Sequence, residues 1–340
     1  MVLTFPILDA RSPAEFEQGH IPNAINLPLF SNEERHLVGK CFKQQGKDAA
    51  VKLGLKFVGP KLEQFVSKAE KYAPNKQLSL YCWRGGMRSA SMAWLLRTAG
   101  FNVDIIAGGY KTWRKLIHSK FETKLNFITL GGFTGSGKTD ILLDLQNAGE
   151  QVIDLEGLAN HKGSAFGFMG LQPTTEHFEN LLGEQLMKLD FSRPIWVEDE
   201  SKTIGKVFVP LAFRTQMRQA PLVRIHESLD KRLSSLCRDY GEISSDYLKN
   251  GFSKIQKQIG GQNAKLAIEC IERDDLAGAC QIALAYYDKS YLYSLEKSQR
   301  TSALTLDITQ LTHQQAAEAL IEWKNQTLPN LVTAQAVDAK

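Results

Sequence analysis

The sequence predicts an α/β protein with two successive parallel-sheet parts and a helical extension towards its C-terminal end. Apolar runs alternate with amphipathic stretches as far as about residue 230, which is typical of strands and helices packed in layers. Two glycine-rich segments each stand between an apolar run and a helix-like stretch. Beyond residue 230 the pattern becomes helical, as in LAGACQIALAYYDKSYLYSLEK.

Length and composition set the class of protein. The chain has 340 residues, of which 43% are hydrophobic and 23% charged, so it has room for two or three globular cores. No window approaches the roughly 18 uninterrupted apolar residues of a membrane span. The opening MVLTFPILDARSP has neither the basic region nor the cleavage site of a signal peptide. We therefore expect a cytoplasmic protein with no membrane partner.

Cysteine usage and charge add two expectations. The five cysteines are an odd number without CxxC pairs, which argues against a disulfide framework and a structural zinc site. Residues 1–120 hold 18 Lys and Arg against 9 Asp and Glu, a net charge of +9, whereas residues 121–340 hold 23 against 28, a net charge of −5. A polyanion such as RNA would gain most from the basic part. A solvated lysine-rich surface explains the same charge.

The elements follow in order along the chain. In the first part FPILDA, LSLYC and VDIIAGG are predicted strands, and SASMAWLLRTAG is a predicted helix that ends at Gly100. In the second part the predicted strands are NFITLGG, QVIDLEG, RPIWVEDE and APLVRIH. The basic stretch YKTWRKLIHSKFETK is the predicted junction. These patterns predict domains at 1–118 and 122–230 and a helical extension at 231–330.

The first glycine-rich segment, LYCWRGGMRSA, places Cys82 between a predicted strand and a predicted helix. Backbone N–H groups converge at such a turn and stabilise negative charge there. Arg84 and Arg88 add positive charge, and a lowered thiol pKa makes cysteine a nucleophile at neutral pH. Free cysteine is more commonly a small core residue. The neighbouring arginines favour the catalytic interpretation.

Three segments, LDARSPAEFEQGHIPNAINLP, YCWRGGMRSA and IIAGGYKTW, resemble the signatures of the rhodanese family in the right order. The resemblance covers about the first 118 residues. It implies that Cys82 carries sulfur or selenium as a persulfide or selenylsulfide, and that Asp9, Arg11, Glu15 and His20 are structural. One departure is the loop spacing, C-x5-R instead of the commoner C-x4-R, which resembles that of dual-specificity phosphatases. Another is that no helix and strand precede the first signature.

The second glycine-rich segment, LGGFTGSGKTD, fits the phosphate-binding loop pattern G-x-x-x-x-G-K-[ST], with an apolar strand before it and an amphipathic helix after it. We expect its backbone N–H groups to bind phosphates, the lysine to neutralise them, and the threonine hydroxyl to hold Mg²⁺. The candidate phosphate-binding residues are Gly132, Thr134, Gly135, Ser136, Gly137, Lys138 and Thr139.

Two further predicted strands end in polar residues. RPIWVEDES offers Glu198, Asp199 and Glu200 as candidates for the second metal-side carboxylate beside Thr139. VIDLEGLANHKGSAFG places Asp154, His161 and Ser164 at another strand end, where side chains face the ligand crevice of a parallel sheet. Glu156 stands beside Asp154. The same residues are also compatible with acids that are merely solvated at a strand end and with a histidine in a surface loop.

The combination of DLEGLANHKGSAFG, VEDESKTIG, NEERHLVGKCFKQQGKDAA and AYYDKSYLYSLEK resembles the tRNA 2-selenouridine synthase family. The resemblance implies a rhodanese-like parallel-sheet domain, a P-loop NTPase-like α/β domain and a helical C-terminal extension. It also implies an enzyme that first geranylates the wobble 2-thiouridine in the tRNA anticodon region. That enzyme then exchanges the geranylthiol for selenium from selenophosphate, so a selenophosphate supplier is an expected partner.

The resemblance also implies roles for particular residues. Cys82 would carry the selenylsulfide, with Arg84 and Arg88 holding the departing phosphate. The phosphate-binding loop would hold geranyl diphosphate, with Mg²⁺, although a nucleotide stays open as its ligand. Candidate tRNA contacts near the junction are Lys111, Arg114 and Lys115.

Other functions stay open at this point. A P-loop ATPase or kinase with a rhodanese sulfur-carrier domain is the main alternative. A phosphatase is supported only by the longer cysteine loop and lacks an identified general acid. A tRNA-binding protein without catalysis would leave both glycine-rich loops unexplained.

Overall fold

A computed structural model of the chain describes residues 5–162, 167, 170–241, 243–298 and 300–337, with side chains as far as residue 327. It consists of two compact units. The first contains residues 1–122 and 173–187, and the second contains residues 123–172 and 188–340. Residues 173–187 lie within the domain predicted at 122–230 but belong to the first unit.

The first unit begins with a strand and helix series. Its elements in chain order are β1 (Ile7–Asp9), α1 (Pro13–Gln18), β2 (Ile25–Asn26), α2 (Asn32–Gln45), α3 (Lys47–Val58), a 3₁₀ turn (Gly59–Lys61), α4 (Leu62–Tyr72), β3 (Gln77–Tyr81), α5 (Met87–Thr98), β4 (Asn102–Ile105) and α6 (Gly109–Glu122).

The remaining elements run from β5 to the end of the described chain, and α9 among them belongs to the first unit. They are β5 (Phe127–Gly132), α7 (Lys138–Asn147), β6 (Gln151–Ile153), α8 (Leu155–Ala159), α9 (Thr175–Leu186), β7 (Ile195–Glu198), β8 (Thr203–Ile204), β9 (Val207–Phe208), α10 (Leu211–Gln219), β10 (Leu222–His226), α11 (Leu229–Tyr240), α12 (Ser245–Lys254), α13 (Gln256–Ile259), α14 (Gly261–Glu272), α15 (Leu276–Ser298), β11 (Ser302–Asp307) and α16 (His313–Val337).

The first unit is built on a parallel sheet with the strand order β2-β1-β3-β4. Strand β3 is internal and its last four residues are buried, as expected for a continuous apolar run in a parallel sheet. Its core joins the sheet to the helices, with Leu8, Leu80 and Leu96 fully buried. Because parallel strands end at one edge, the loop after β3 lies at the carboxyl edge of the sheet.

The second unit contains a five-stranded parallel sheet with the order β11-β10-β5-β7-β6 and a small antiparallel pair, β8-β9. Strand β5 is central, and all six of its residues are buried. The loop that follows β5 therefore opens at the carboxyl edge, between β10 and β7. These two sheets confirm the predicted α/β fold with its two parallel-sheet parts and helical C-terminal region.

One strand lies where the sequence analysis expected only helix. Within the predicted helical extension, β11 pairs with β10 and extends the sheet of the second unit. Its sequence, SALTLD, alternates between half-buried and exposed residues because it is an edge strand. This alternating pattern is only six residues long and follows a 23-residue helix, so the sequence around it favoured a helix over a strand.

Among the residues that the structure describes, no helix is long and apolar enough to cross a membrane.

Candidate functional site

The Cys82 loop joins β3 to α5 in the first unit. Cys82 is the residue after β3, and α5 begins five residues later at Met87, so the thiol lies near a helix N-terminus. The loop packs on the turn before α6, where the Tyr110 N–H donates to the Cys82 carbonyl at 2.9 Å. Gly109 has φ of 60°, and a β-carbon there would lie 2.3 Å from that carbonyl oxygen. Only glycine allows this close approach, which explains the GGY sequence.

The Cys82 side chain is buried, with 3% of its surface exposed, and it belongs to the core of the first unit. Its Sγ lies 3.2 Å from the Ser89 hydroxyl oxygen. Burial raises the pKa of Cys82, but hydrogen bonds from the Ser89 hydroxyl and from the N–H groups of Ser89 and Arg84, together with the charge of Arg88, bring the pKa below its ordinary value. The surroundings therefore make the thiol easier to ionise than an ordinary cysteine, although the residue is buried.

Arg88 and Arg84 differ in their surroundings. The Arg88 guanidinium donates to both carboxylate oxygens of Glu15, at 2.6 and 3.2 Å, and Arg35 lies 3.7 Å from the same carboxylate. Glu15 also accepts the N–H of Ser12 in a capping box. Arg84 is exposed. Glu15 therefore fixes the position of Arg88 beside the loop and partly balances its charge, whereas Arg84 faces solvent.

Ser89→Ala is expected to raise the pKa of Cys82, since it removes a donor to the thiolate. A hydrogen bond to a charged group is worth about 1.5–3 kcal/mol, which corresponds to a shift of about one pH unit or more. Because the native pKa is lowered, the variant should need a higher pH for the same reactivity. The measurement is the pH profile of iodoacetamide alkylation of the Cys82 peptide by mass spectrometry. Ser67→Ala, at a half-buried serine on α4, is the control and should leave the profile unchanged.

The other residues of the first signature form a buried framework. Asp9 and Arg11 make an ion pair with 2.6 Å between Oδ2 and Nη2, and both side chains are almost fully buried. The Arg11 guanidinium also lies over the Tyr110 ring, 3.9 Å from its centroid. His20 stacks on Phe16 at 3.7 Å between ring centroids. These contacts hold α1 against the sheet.

The structure corrects one candidate RNA contact. Arg114 donates to Asn180 at 2.8 Å and to Glu179 at 2.5 Å, and its side chain is 15% exposed. These ion-pair and amide contacts fasten α6 to α9. Arg114 is therefore engaged within the unit, while Lys111 and Lys115 on the same helix are exposed.

In the second unit the phosphate-binding loop joins β5 to α7. Gly135 and Gly137 both have φ of 78°, a left-handed conformation that glycine adopts without strain. The Lys138 amine donates to the carbonyls of Gly132 and Phe133 at 3.2 and 3.3 Å, so it lies over the loop. The Ser136 hydroxyl donates to the Phe133 carbonyl at 2.7 Å. This backbone shape presents N–H groups and one ammonium to an anion.

Two residues from distant parts of the chain support this loop. Arg232 on α11 donates to the Thr134 carbonyl at 2.9 Å and pairs with Asp288. His313, the first residue of α16, lies so close to Gly137 that a β-carbon there would be 2.5 Å from its Nε2. No sequence pattern pointed to either residue, because both contacts come from tertiary packing.

A cluster of carboxyl groups lies at the end of β7 beside the loop. Thr139 Oγ1 lies 3.5 Å from Glu198 Oε1, and Glu198 Oε2 accepts the Glu156 N–H at 3.3 Å. Burial, followed by the charges of Glu156 and Glu200, raises the pKa of Glu198 well above its ordinary value. Burial and the charge of Glu200 raise the pKa of Glu156 to about 8. Burial also raises the pKa of Glu200, against the opposing effect of Lys138.

Asp199 points elsewhere. Its carboxylate pairs with Arg300 at 2.5 Å, and Arg218 lies at 3.6 Å. Arg300 also donates to the Thr129 hydroxyl at 2.7 Å. Successive residues on a strand face opposite sides, which explains why Asp199 is separated from Glu198. Of the three acids offered by the sequence, Asp199 is therefore not part of the cluster beside the loop.

The remaining candidates are placed as follows. Asp154 caps α8 and accepts the Gly157 N–H at 2.7 Å, so its carboxylate has a structural partner. His161 is 9% exposed, and its Nδ1 has no hydrogen-bond partner among the described residues. Burial lowers the pKa of His161. Ser164 lies outside the described residues.

Thr139 and Glu198 are the residues that fit Mg²⁺ best. Across the described ranges no three His, Cys, Asp or Glu side chains converge in a metal-binding arrangement. Mg²⁺ commonly uses one or two protein oxygens and completes its coordination with water and substrate phosphates. A cation beside Glu198 would also offset the repulsion among its neighbouring carboxylates. The donor set thus fits a magnesium–phosphate complex, not a metal held by protein alone.

Ser89 and the Glu15–Arg88 pair are parts of the site that no sequence pattern predicted. Ser89 stands seven residues after Cys82, and nothing in its local pattern separates it from an ordinary helix residue. Glu15 was expected to be structural from the resemblance to the rhodanese family, and it does cap α1. Its ion pair with Arg88 spans 73 residues and is visible only in the folded unit.

Comparison with known proteins gives two family matches. Residues 125–321 match the family described as the tRNA 2-selenouridine synthase AAA domain, and residues 2–116 match the rhodanese-like domain. A tRNA 2-selenouridine synthase of Marinobacter nauticus is 33% identical over 86% of this chain and 89% of its own length. One from Shewanella halifaxensis is 37% identical over the same shares, and one from Pseudomonas fluorescens is 35% identical, again over 86% and 89%.

Proposed function

The chain belongs to the tRNA 2-selenouridine synthase family, and from this premise we propose that it geranylates wobble 2-thiouridine in tRNA and then replaces the sulfur with selenium. The observation that carries the proposal is the presence of two anion-binding loops with different chemistry in one chain. One loop lowers the pKa of Cys82, and the other has the positive-φ glycines and the lysine of a phosphate-binding loop. A single modification that needs both a chalcogen carrier and a diphosphate site would use both loops.

The first proposed step takes place at the phosphate-binding loop, with geranyl diphosphate as the donor. The 2-thiouridine sulfur forms a bond to the allylic carbon, the carbon–oxygen bond breaks, and its electron pair leaves with diphosphate. Lys138 and the backbone N–H groups of residues 134–139 stabilise the charge that develops on the leaving group. Thr139 and Glu198 would hold Mg²⁺, which adds positive charge at the same oxygens.

The second proposed step uses Cys82 as a selenium carrier. Selenium in selenophosphate is at the selenide level, so forming a Cys82 selenylsulfide requires a two-electron oxidant, for which we propose a low-molecular-weight disulfide. Water adds to phosphorus and the P–Se bond breaks, which releases phosphate, while the disulfide is reduced to two thiols as the Cys82 S–Se bond forms. The terminal selenium then attacks C2 of the geranylated base and geranylthiolate leaves. Two thiols cleave the remaining S–Se bond, release Cys82 and form the disulfide again. Arg84, Arg88 and the loop N–H groups are proposed to hold the departing phosphate.

Binding of tRNA is proposed for the basic first unit. Lys111 and Lys115 are exposed on α6, and Trp83, the residue after Cys82, is 38% exposed. Lysines contact the phosphate backbone, and an exposed aromatic ring can stack on an unpaired base. Trp83 was not singled out from the sequence. Its place beside the thiol makes it our candidate for contact with the wobble base.

A P-loop ATPase or kinase with a rhodanese sulfur-carrier domain is the second candidate. The Thr139–Glu198 contact favours it, because nucleotide-binding loops use the same pair of groups for Mg²⁺. ATP hydrolysis that is stimulated by thiosulfate and indifferent to tRNA would support this alternative.

The test is mass spectrometry of the purified protein and of nucleosides from co-purifying tRNA. We expect a mass increase of about 80 Da, one selenium atom, on the Cys82 peptide. We also expect S-geranyl-2-thiouridine and 2-selenouridine among the nucleosides when geranyl diphosphate and selenophosphate are supplied. Bound nucleotide with unmodified RNA would instead point to the ATPase alternative.

A further inference from the structure

An apolar groove lies beside the Cys82 loop in the first unit. It is formed by α2, α3 and the start of α5, and its volume is about 180 Å³. Its main lining residues are Phe30, Phe42, Val51, Leu55, Met87 and Arg88.

The groove is continuous with the surroundings of the thiol. Met87 and Arg88 are the first two residues of α5, and the next residue is Ser89, which contacts Cys82 Sγ. Phe30 lines the groove and belongs to the same packed core as Cys82. A molecule in the groove would therefore reach the helix turn that carries the hydrogen-bond partner of the thiol.

The groove exposes apolar side chains to an unusual degree. Leu55 is 65% exposed, Phe42 57% and Met87 54%, and all three side chains line the same groove. An exposed apolar patch of this kind marks a ligand or partner site more often than a bare surface. The charged residues that line it are Lys47, which is exposed, and Arg88, which is paired with Glu15. An apolar lining beside the Lys47 ammonium matches an apolar chain attached to an anionic molecule.

We propose that this groove binds the geranyl chain of S-geranyl-2-thiouridine while C2 of the base is presented to Cys82. The inference rests on the proposed function, since it assumes that the geranylated tRNA is the intermediate. In the exchange a C2–Se bond forms and the C2–S bond breaks. The electron pair of the C2–S bond leaves with the sulfur, which takes up a proton to give geranylthiol. The chain of this product still lies in the groove when the bond breaks.

A peptide segment fits this surface less well than a prenyl chain. A peptide would bring N–H and C=O groups that need hydrogen-bond partners. Among the residues that line the groove, the one neutral side chain with a hydroxyl is Ser91. A branched hydrocarbon needs no such partners and gains from burial against Phe42, Val51 and Leu55.

The test uses anticodon stem-loop RNAs that carry either S-geranyl- or S-methyl-2-thiouridine, with kcat/KM for selenium exchange measured on each. In the native chain we expect the S-geranyl RNA to be preferred. Leu55→Asp, which places a charge at the apolar edge, is expected to lower the ratio of the two kcat/KM values by about 10-fold or more, mainly through KM for the S-geranyl RNA. Because Leu55 is exposed, the variant should fold, and its melting temperature is measured alongside.

Leu37→Asp on α2 is the matched control, since Leu37 is 47% exposed but does not line the groove. This control should keep the native ratio. If Leu55→Asp keeps the native ratio as well, or lowers kcat/KM equally for both RNAs, the groove does not bind the geranyl chain. The inference then fails while the proposed function stands. If the native chain exchanges neither RNA, the proposed function itself fails.

Discussion

Replacing Cys82 with serine is expected to abolish selenium insertion while the chain still geranylates 2-thiouridine in tRNA. Serine keeps the size of the side chain, but its hydroxyl does not ionise near neutral pH and cannot form a selenylsulfide. Loss of a nucleophile on this route should lower the rate of 2-selenouridine formation by at least about 10³-fold. The folded core should be little changed, since serine is close in size and shape to the buried cysteine that it replaces.

The measurement is nucleoside mass spectrometry after incubation of 2-thiouridine tRNA with geranyl diphosphate and selenophosphate. S-geranyl-2-thiouridine should accumulate in the Cys82→Ser reaction. Cys41→Ser is the matched control, because Cys41 is a half-buried thiol in the same unit, on α2. Equal loss of both products in Cys82→Ser, or full selenation by it, would contradict the assignment of Cys82 to the second step.

Lys138→Ala is expected to lower geranylation by about 10²–10³-fold, the usual cost of removing one preorganised group that stabilises developing negative charge. The Lys138 amine lies over the loop and is the only ammonium that the described loop itself supplies, so in the alanine variant the loop would stabilise the departing diphosphate through its backbone N–H groups and the proposed Mg²⁺ alone. Selenium exchange on RNA that already carries the geranyl group should persist.

Two assays separate the steps for this variant. The first follows geranyl transfer from geranyl diphosphate, and the second supplies pre-geranylated stem-loop RNA with selenophosphate. Lys265→Ala, on the exposed face of α14 with 81% of the side chain in solvent, is the control and should match the native chain in both. The division of labour between the two loops would be refuted if Lys138→Ala lost both steps to the same degree.

Much of the candidate site was predictable because its signals are local. The phosphate-binding loop needs two glycines with positive φ, a lysine and a threonine at fixed spacing, and these requirements act within eight residues. The Cys82 loop likewise depends on a strand end, a helix start and the residues between them. Both loops therefore appear in the sequence as contiguous patterns, and the structure places each between the expected strand and helix.

Other features depend on contacts between distant residues. The alternation along β7 separates Glu198 from Asp199, but only the positions of Arg300 and Arg218 show which side each acid faces. Glu176, Glu179 and Asn180 on α9 return to the first unit and engage α6, which removes Arg114 from the candidate RNA contacts. Strand β11 forms because the edge of β10 needs a partner, although it follows a long helix.

The sequence by itself determined the two-part α/β architecture, the positions of the candidate nucleophile and of the glycine-rich loop, and the resemblance to a family, because each is written in short patterns of residue type and spacing. Only the tertiary structure decided how the thiol is stabilised, which acid lies beside Thr139, and where an apolar groove borders the cysteine loop. These depend on packing between segments tens to hundreds of residues apart. Distances of a few ångströms between such segments are set by the whole fold and leave no local trace in the chain.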